Sequence, residues 1–128
     1  ITLLKPDELT ELRVEPLGVI ANNYGFEWFH LPIDDGFIPD DRFEERWKTL
    51  MPRLDHYFKQ DRDILIHCKG GIGRAGTVAT KLLMDIHVET NIEEAICHVR
   101  SSRKNAIETV IQERYLLNYD RFNFRCLK

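Results

Sequence analysis

The stretch from Asp63 to Arg74 constrains this chain more than any other. Asp63-Ile64-Leu65-Ile66-His67 is a short apolar run, the pattern of a strand buried on both faces. It leads directly into Cys68, then glycines at positions 70, 71 and 73, then Arg74. From Ala75 to about His87 the pattern predicts a helix. Strand, glycine-rich turn and helix in that order form one repeat of an α/β domain, and such domains bind ligands at the carboxyl ends of their strands. Cys68 falls at such an end.

The loop also has a chemical logic. Glycines let successive backbone N–H groups converge on one cavity, and a helix N-terminus adds donors and partial positive charge. Arg74 brings a planar, permanently charged fork matched to two oxygens of a phosphate. Helix N-termini and nearby cations favour thiolate over thiol, so a cysteine at the floor of this cradle is expected to be a ready nucleophile. A Walker-type nucleotide loop is excluded, because Gly73-Arg74-Ala75 has neither the lysine nor the hydroxyl that such a loop needs.

The remaining chain supplies the elements around this unit. Ile1-Thr2-Leu3-Leu4 reads as the end of a strand, an abrupt start that suggests residues upstream. Pro6-Asp7-Glu8 opens a helical turn, and a second short helix is expected from Pro16 to about Asn23, ended by Gly25. Residues 26–31 are aromatic-rich and read as a strand; Pro32 to Pro39 reads as a loop. Asp40 or Asp41 caps a helix with Phe43, Trp47, Leu50, Met51, Leu54 and Phe58 on its apolar face, and Pro52 predicts a kink or break near Met51. Thr90-x-x-Glu93 has the form of a capping box for a helix that buries Ile92, Ala95, Ile96 and Val99. Thr109-x-x-Gln112 opens a last helix, with Ile111, Tyr115, Tyr119 and Phe122 inward.

Charge and composition exclude several function classes. The 128 residues fit a single domain, 1–128, with a net charge of −3 and no low-complexity tract or repeat. No global basic field attracts nucleic acid, and no apolar run is long enough to span a membrane. Cys68, Cys97 and Cys126 are scattered, as are the five histidines, which argues against disulfides, zinc and other metal sites, and fits a reducing cytoplasm. Cys97 and Cys126 read as small buried hydrophobes.

His67-Cys68-x-x-Gly71-x-x-Arg74 resembles the Cys-x5-Arg signature of the protein-tyrosine and dual-specificity phosphatase superfamily. The resemblance covers nearly the whole chain. His30-Leu31-Pro32-Ile33-Asp34-Asp35-Gly36 looks like the general-acid loop, and Ala106-Ile107-Glu108-Thr109-x-x-Gln112 looks like the glutamine-bearing loop. The loop ending in Pro39-Asp40 and the stretch from Arg103 to Tyr115 are most similar to the kinase-associated phosphatase branch. The resemblance implies an α/β fold with a central, mostly parallel sheet flanked by helices. It implies a phosphatase that removes phosphate from proteins, from phosphotyrosine and also phosphoserine or phosphothreonine, through a phosphocysteine and without a cofactor. Cys68 is then the nucleophile and Arg74 the phosphate ligand, with Lys69, Gly70, Gly71, Ile72 and Gly73 lining the site. Asp35 aligns with the acid, and Asp34 is the neighbouring carboxylate. His67 is the residue that orients the cysteine. Gln112 positions water in the second step or, on the residues alone, is simply the partner of Thr109 in a cap. The implied partner is a phosphorylated protein or peptide met by a monomer.

Ala75 departs from the family, which has Ser or Thr there to donate to the departing thiolate. Losing one charge-assisted hydrogen bond costs about 1.5–3 kcal/mol, roughly ten- to a hundredfold in rate. The expectation is a slowed second step. Alternatives are an inositol phosphate or phosphoinositide phosphatase, for which Lys69 speaks and Ile72 does not, and a phosphate-binding module that no longer turns over. A rhodanese-type sulfurtransferase fits less well, since its loop is shorter.

Overall fold

The structure, a computed structural model, describes residues 1–123, with side chains through residue 119. Six helices follow one another: α1 (Pro6–Glu11), α2 (Leu17–Asn23), α3 (Asp41–Lys59), α4 (Gly73–Asp85), α5 (Ile92–Ser102) and α6 (Val110–Asn123). No described helix is long and apolar enough to cross a membrane.

Three extended segments lie side by side at the centre. Thr2 forms parallel bridges to both His30 and His67, so the segment at residues 1–4 is the middle one. On one side Thr2 N–H donates to Phe29 O and Leu31 N–H to Thr2 O; on the other, Leu3 N–H donates to His67 O and His67 N–H to Ile1 O. The parallel sense matches the expectation. The extent does not: among the described residues the expected sheet is reduced to these two bridges, and neither 26–31 nor 63–67 is a continuous strand. One cause lies in the middle segment, where Pro6 has no N–H and starts α1, and backbone pairing ends at Leu3, whose carbonyl accepts from Ile33 N–H. Nor is the 63–67 run buried on both faces. Ile64 and Ile66 pack on the core while Leu65, pointing the other way, is 74% exposed.

α3 and α4 cover one face of these segments. Leu3, Leu31, Ile33, Phe43, Trp47, Leu54 and Val78 form the main core there. Each fully buried side chain of this kind contributes roughly 1.5–3 kcal/mol. Asp40 caps α3 by accepting from Phe43 N–H at 2.8 Å. The helix runs unbroken through Pro52, so the break that was one expectation there does not occur. Pro52 and Lys48 are both exposed, so the carbonyl that loses its helical partner is on the solvent side, where hydration makes the loss small. Phe58, expected inward, is exposed; Tyr57 takes the inner position in the last turn.

A second core, of Met84, Ile92, Ala95, Ile96, Ile107 and Leu116, lies where α4, α5 and α6 meet. Asn91, not Thr90, caps α5, its Oδ1 accepting from the N–H groups of Glu93 and Glu94. Cys97 sits off the buried stripe of α5 and is exposed, contrary to the sequence reading. On α6 Leu116 is buried and Tyr115 and Tyr119 pack partly buried against this core, whereas Ile111 is exposed. The expected burial of Phe122 and Cys126 falls on side chains outside those described.

Candidate active site

Cys68 ends the third extended segment, half-buried, and Gly73 begins α4 five residues later. Between them the chain turns through Gly71 at φ +66°, a backbone conformation that glycine adopts at low cost. Among the described residues, the N–H groups of Lys69 through Ala75 donate to no protein acceptor. Seven amides without a protein acceptor, next to a cysteine and at the start of a thirteen-residue helix, are donors available to an anion.

Arg74 is held from behind. Its side chain is buried, and Glu8 grips it in a fork: Nη1 donates to Glu8 Oε2 at 2.7 Å and Nη2 to Glu8 Oε1 at 2.8 Å. Nη1 also donates to the Ile33 carbonyl at 3.0 Å. Asp35 Oδ1 lies 3.2 Å from Nη2. Nε–H has no partner in the protein, an orphaned donor in a buried place. The outer ends of the guanidinium are thus already engaged, and the edge left for a ligand is Nε with the part of Nη2 that Asp35 covers. Burial works against the charged guanidinium, but hydrogen bonding and attraction from Glu8, with Asp35 and Cys68 adding to it, keep its pKa above the usual value.

Glu8 is fixed in turn. Its Oε2 also accepts from Lys5 N–H at 2.9 Å, so one carboxylate caps α1 and anchors Arg74. The hydrogen bonds from Arg74 are the main reason its pKa lies below the ordinary value; burial acts in the opposite sense.

The two acidic residues of the 32–39 loop have different surroundings. Asp34 pairs with Lys5 at 2.6 Å, on the surface. Asp35 faces Arg74 and is otherwise open to solvent. The loop is tied to α6: Thr109 Oγ1 donates to Gly36 O at 3.0 Å and Gln112 Nε2 to Phe37 O at 3.1 Å. Gln112 is buried, and its Oε1 accepts from the N–H groups of Glu108 and Thr109. Gln112 N–H reaches Thr109 Oγ1 at 3.3 Å, the reciprocal cap that the sequence allowed. Its amide also lies beside Gly73, where an added Cβ would meet Oε1 at 3.1 Å and Nε2 at 3.2 Å.

His67 ends a chain of hydrogen bonds beneath the cysteine. Trp28 Nε1–H donates to Thr2 Oγ1 at 2.7 Å, and Thr2 Oγ1 lies 2.7 Å from His67 Nε2. On its other side Nδ1 is 3.4 Å from Cys68 O. A carbonyl only accepts, so Nδ1 carries the proton. Burial, the largest influence, holds the His67 pKa below its ordinary value and favours the neutral ring; Nε2 then accepts from Thr2. Thr77, two residues beyond Ala75, gives its hydroxyl to Gly73 O at 2.9 Å and has none left for the sulfur.

Residues 9–122 match the family model for the dual specificity phosphatase catalytic domain. The chain belongs to this family. Within it the resemblance to the kinase-associated branch is specific. Cyclin-dependent kinase inhibitor 3 of Rattus norvegicus is 37% identical over 110 residues, covering 85% of this chain and 50% of that protein. The Homo sapiens protein of the same name is 36% identical over 110 residues, with the same coverage. The chain therefore spans about half the length of these curated relatives. Among solved structures, kinase associated phosphatase carrying serine in place of its catalytic site cysteine is 33% identical, with a TM-score of 0.80 over 92% of this chain and 65% of that one. Tk-PTP in its active form is 29% identical, with a TM-score of 0.72 over 94% of this chain and 76% of that one.

For this member of the dual specificity phosphatase family, the fold gathers Cys68, Arg74, Asp35 and the loop between 68 and 74 at one place, with His67 below and Gln112 beside them. Lys69 and Gly70 are exposed on the loop. Sequence reasoning missed Glu8. A buried arginine demands a carboxylate, but nothing in the spacing of 66 residues says which one. It also missed Thr109 as an anchor of the 32–39 loop and Lys5 as the partner of Asp34.

Proposed function

We propose that this chain is a phosphatase domain that hydrolyses phosphate monoesters on proteins, phosphotyrosine and also phosphoserine or phosphothreonine, through a phosphocysteine. One observation carries the reading: a cysteine and a buried arginine with an orphaned Nε–H bound a loop whose amides have no protein partner. These donors suit the equatorial oxygens of a transferring phosphoryl group.

In the first step the Cys68 sulfur attacks phosphorus in line. The S–P bond forms as the ester P–O bond breaks, and Asp35 gives its proton to the departing oxygen. In the second, water attacks phosphorus, its proton passes to Asp35, and the sulfur leaves as thiolate. Asp35 is favoured over Asp34 because Asp34 is engaged by Lys5 whereas Asp35 stands at Arg74. The phosphate displaces Asp35 from Arg74 as it binds, which frees that carboxyl for the leaving group. His67 keeps the Cys68 peptide oriented. Gln112 holds the acid loop through Phe37. Ala75 offers no hydroxyl to the departing thiolate, so the second step is the slower one.

The relatives' names connect them to cyclin-dependent kinases, and a phosphorylated protein of that kind is the substrate class we assign. A second reading, a phosphate-binding module without turnover, is motivated by Ala75. Release of phosphate from phosphopeptides, with inositol phosphates in parallel, separates these cases. The domain is expected to act on phosphopeptides and the Cys68→Ser variant not at all. Phosphate binding without turnover in the unmodified chain favours the binding module.

A further inference from the structure

A loop made of glycines cannot orient itself. Gly70, Gly71 and Gly73 have no side chains to lock their peptides, so the inward direction of their N–H groups must be imposed from outside. The segment at residues 103–107, between α5 and α6, is placed to do this. Arg103 Nη2 donates to Gly70 O at 3.2 Å, and Ile107 N–H donates to Ile72 O at 3.1 Å. In a trans peptide the C=O and the following N–H point in opposite directions, and every peptide described here is trans. Drawing the Gly70 and Ile72 carbonyls towards this segment therefore turns the N–H groups of Gly71 and Gly73 away from it, into the cradle.

The segment is itself built for the task. Ile107 adopts φ +64°, a conformation that a β-branched residue enters only when its surroundings force it. Those surroundings are present. Arg100 Nε donates to Ala106 O at 3.0 Å and Nη2 to Ile107 O at 3.3 Å, while Nη1 pairs with Glu113. Gly76 lets α4 approach so closely that a Cβ there would lie 2.9 Å from Ile107 N.

We infer that Arg103 is a positioning residue for phosphate binding: through the Gly70 carbonyl it holds the Gly71 amide in its anion-binding direction. The inference rests on the proposed reading of this loop as a phosphate site. Arg103 is exposed, so its replacement leaves the fold intact. The test compares the unmodified chain with Arg103→Ala and Arg103→Lys by titration with inorganic phosphate, following the Gly71 amide by NMR, and by steady-state hydrolysis of p-nitrophenyl phosphate. For Arg103→Ala the phosphate Kd and the KM are expected to rise about tenfold at an unchanged thermal midpoint. The Gly71 resonance should then respond less to phosphate than in the unmodified chain, and Arg103→Lys should recover most of the loss. An Arg103→Ala variant that binds phosphate as the unmodified chain does overturns the inference, as does a lysine variant no better than alanine. Phosphate binding without turnover in the unmodified chain overturns the phosphatase reading alone, with the titration still testing Arg103. No phosphate binding by the unmodified chain overturns both.

Discussion

At the scale of single residues, the fork between Glu8 and Arg74 is the strongest constraint on the site. Arg74 is buried and permanently charged, so removing its partner leaves a charge with incomplete compensation. Glu8→Gln is expected to cost about 3 kcal/mol of stability, read from urea unfolding at neutral pH. The pH dependence follows from the lowered pKa of Glu8. Its contribution is complete above the ordinary carboxylate value of 4.5 and is lost as pH falls through the lower folded value. The stability gap between the native chain and Glu8→Gln should therefore narrow in acid; a gap that widens contradicts the assignment. Ala75 sets a kinetic expectation. An aryl phosphate should give a burst of product followed by slow turnover, and Ala75→Ser should raise the steady rate by about tenfold or more. Equal steady rates for the two proteins would sink the idea that the missing hydroxyl limits turnover.

Helix ends decide much at the scale of elements. The spacing Thr90-x-x-Glu93 placed the cap of α5 at Thr90, but the backbone selects Asn91, whose side chain takes two amides. Asn91→Ala should cost about 1 kcal/mol, with Thr90→Ala close to neutral, by thermal or chemical unfolding. The reverse order would place the cap at Thr90. At α6 the Thr109 and Gln112 cap was legible from spacing alone, because it is local. Its second use was not. Thr109 and Gln112 also reach Gly36 and Phe37, more than seventy residues away, and so couple the helix start to the loop that carries Asp35.

On the scale of the whole molecule, α3, α4 and α6 are joined through a buried cation. Lys81 is almost wholly enclosed, 3.1 Å from Glu44 and 3.7 Å from Asp85, and it lies over the rings of Trp47 and Tyr119. Trp47 and Tyr119 donate to Asp85, and Tyr115 donates to Glu44. Burial, followed by the hydrogen bond to Glu44, raises the pKa of Tyr115 and keeps it a donor. Lys81→Met retains most of the volume but leaves two carboxylates without their cation. A loss of about 3 kcal/mol is expected, seen as a lower urea midpoint at an unchanged slope. A variant as stable as the parent would mean that the apolar contacts alone join these helices.

The sequence by itself determined the local and periodic features: the order of helices, a cap at Asp40 or Asp41 and one at Thr109, most of the apolar stripe of α3, and the loop from Cys68 to Arg74 with its bounding residues. These depend on neighbours within a turn or two of chain. Tertiary structure decided what depends on distant partners. It reduced the expected sheet to two parallel bridges at Thr2, left Leu65 and Cys97 exposed, and carried α3 through Pro52 because the lost bond faces water. It also chose Glu8 as the carboxylate behind Arg74 and brought Asp35, rather than Asp34, to the guanidinium. A buried charge requires a counter-charge, and that requirement is visible in a sequence; which of 21 acidic residues meets it is a matter of how the chain packs.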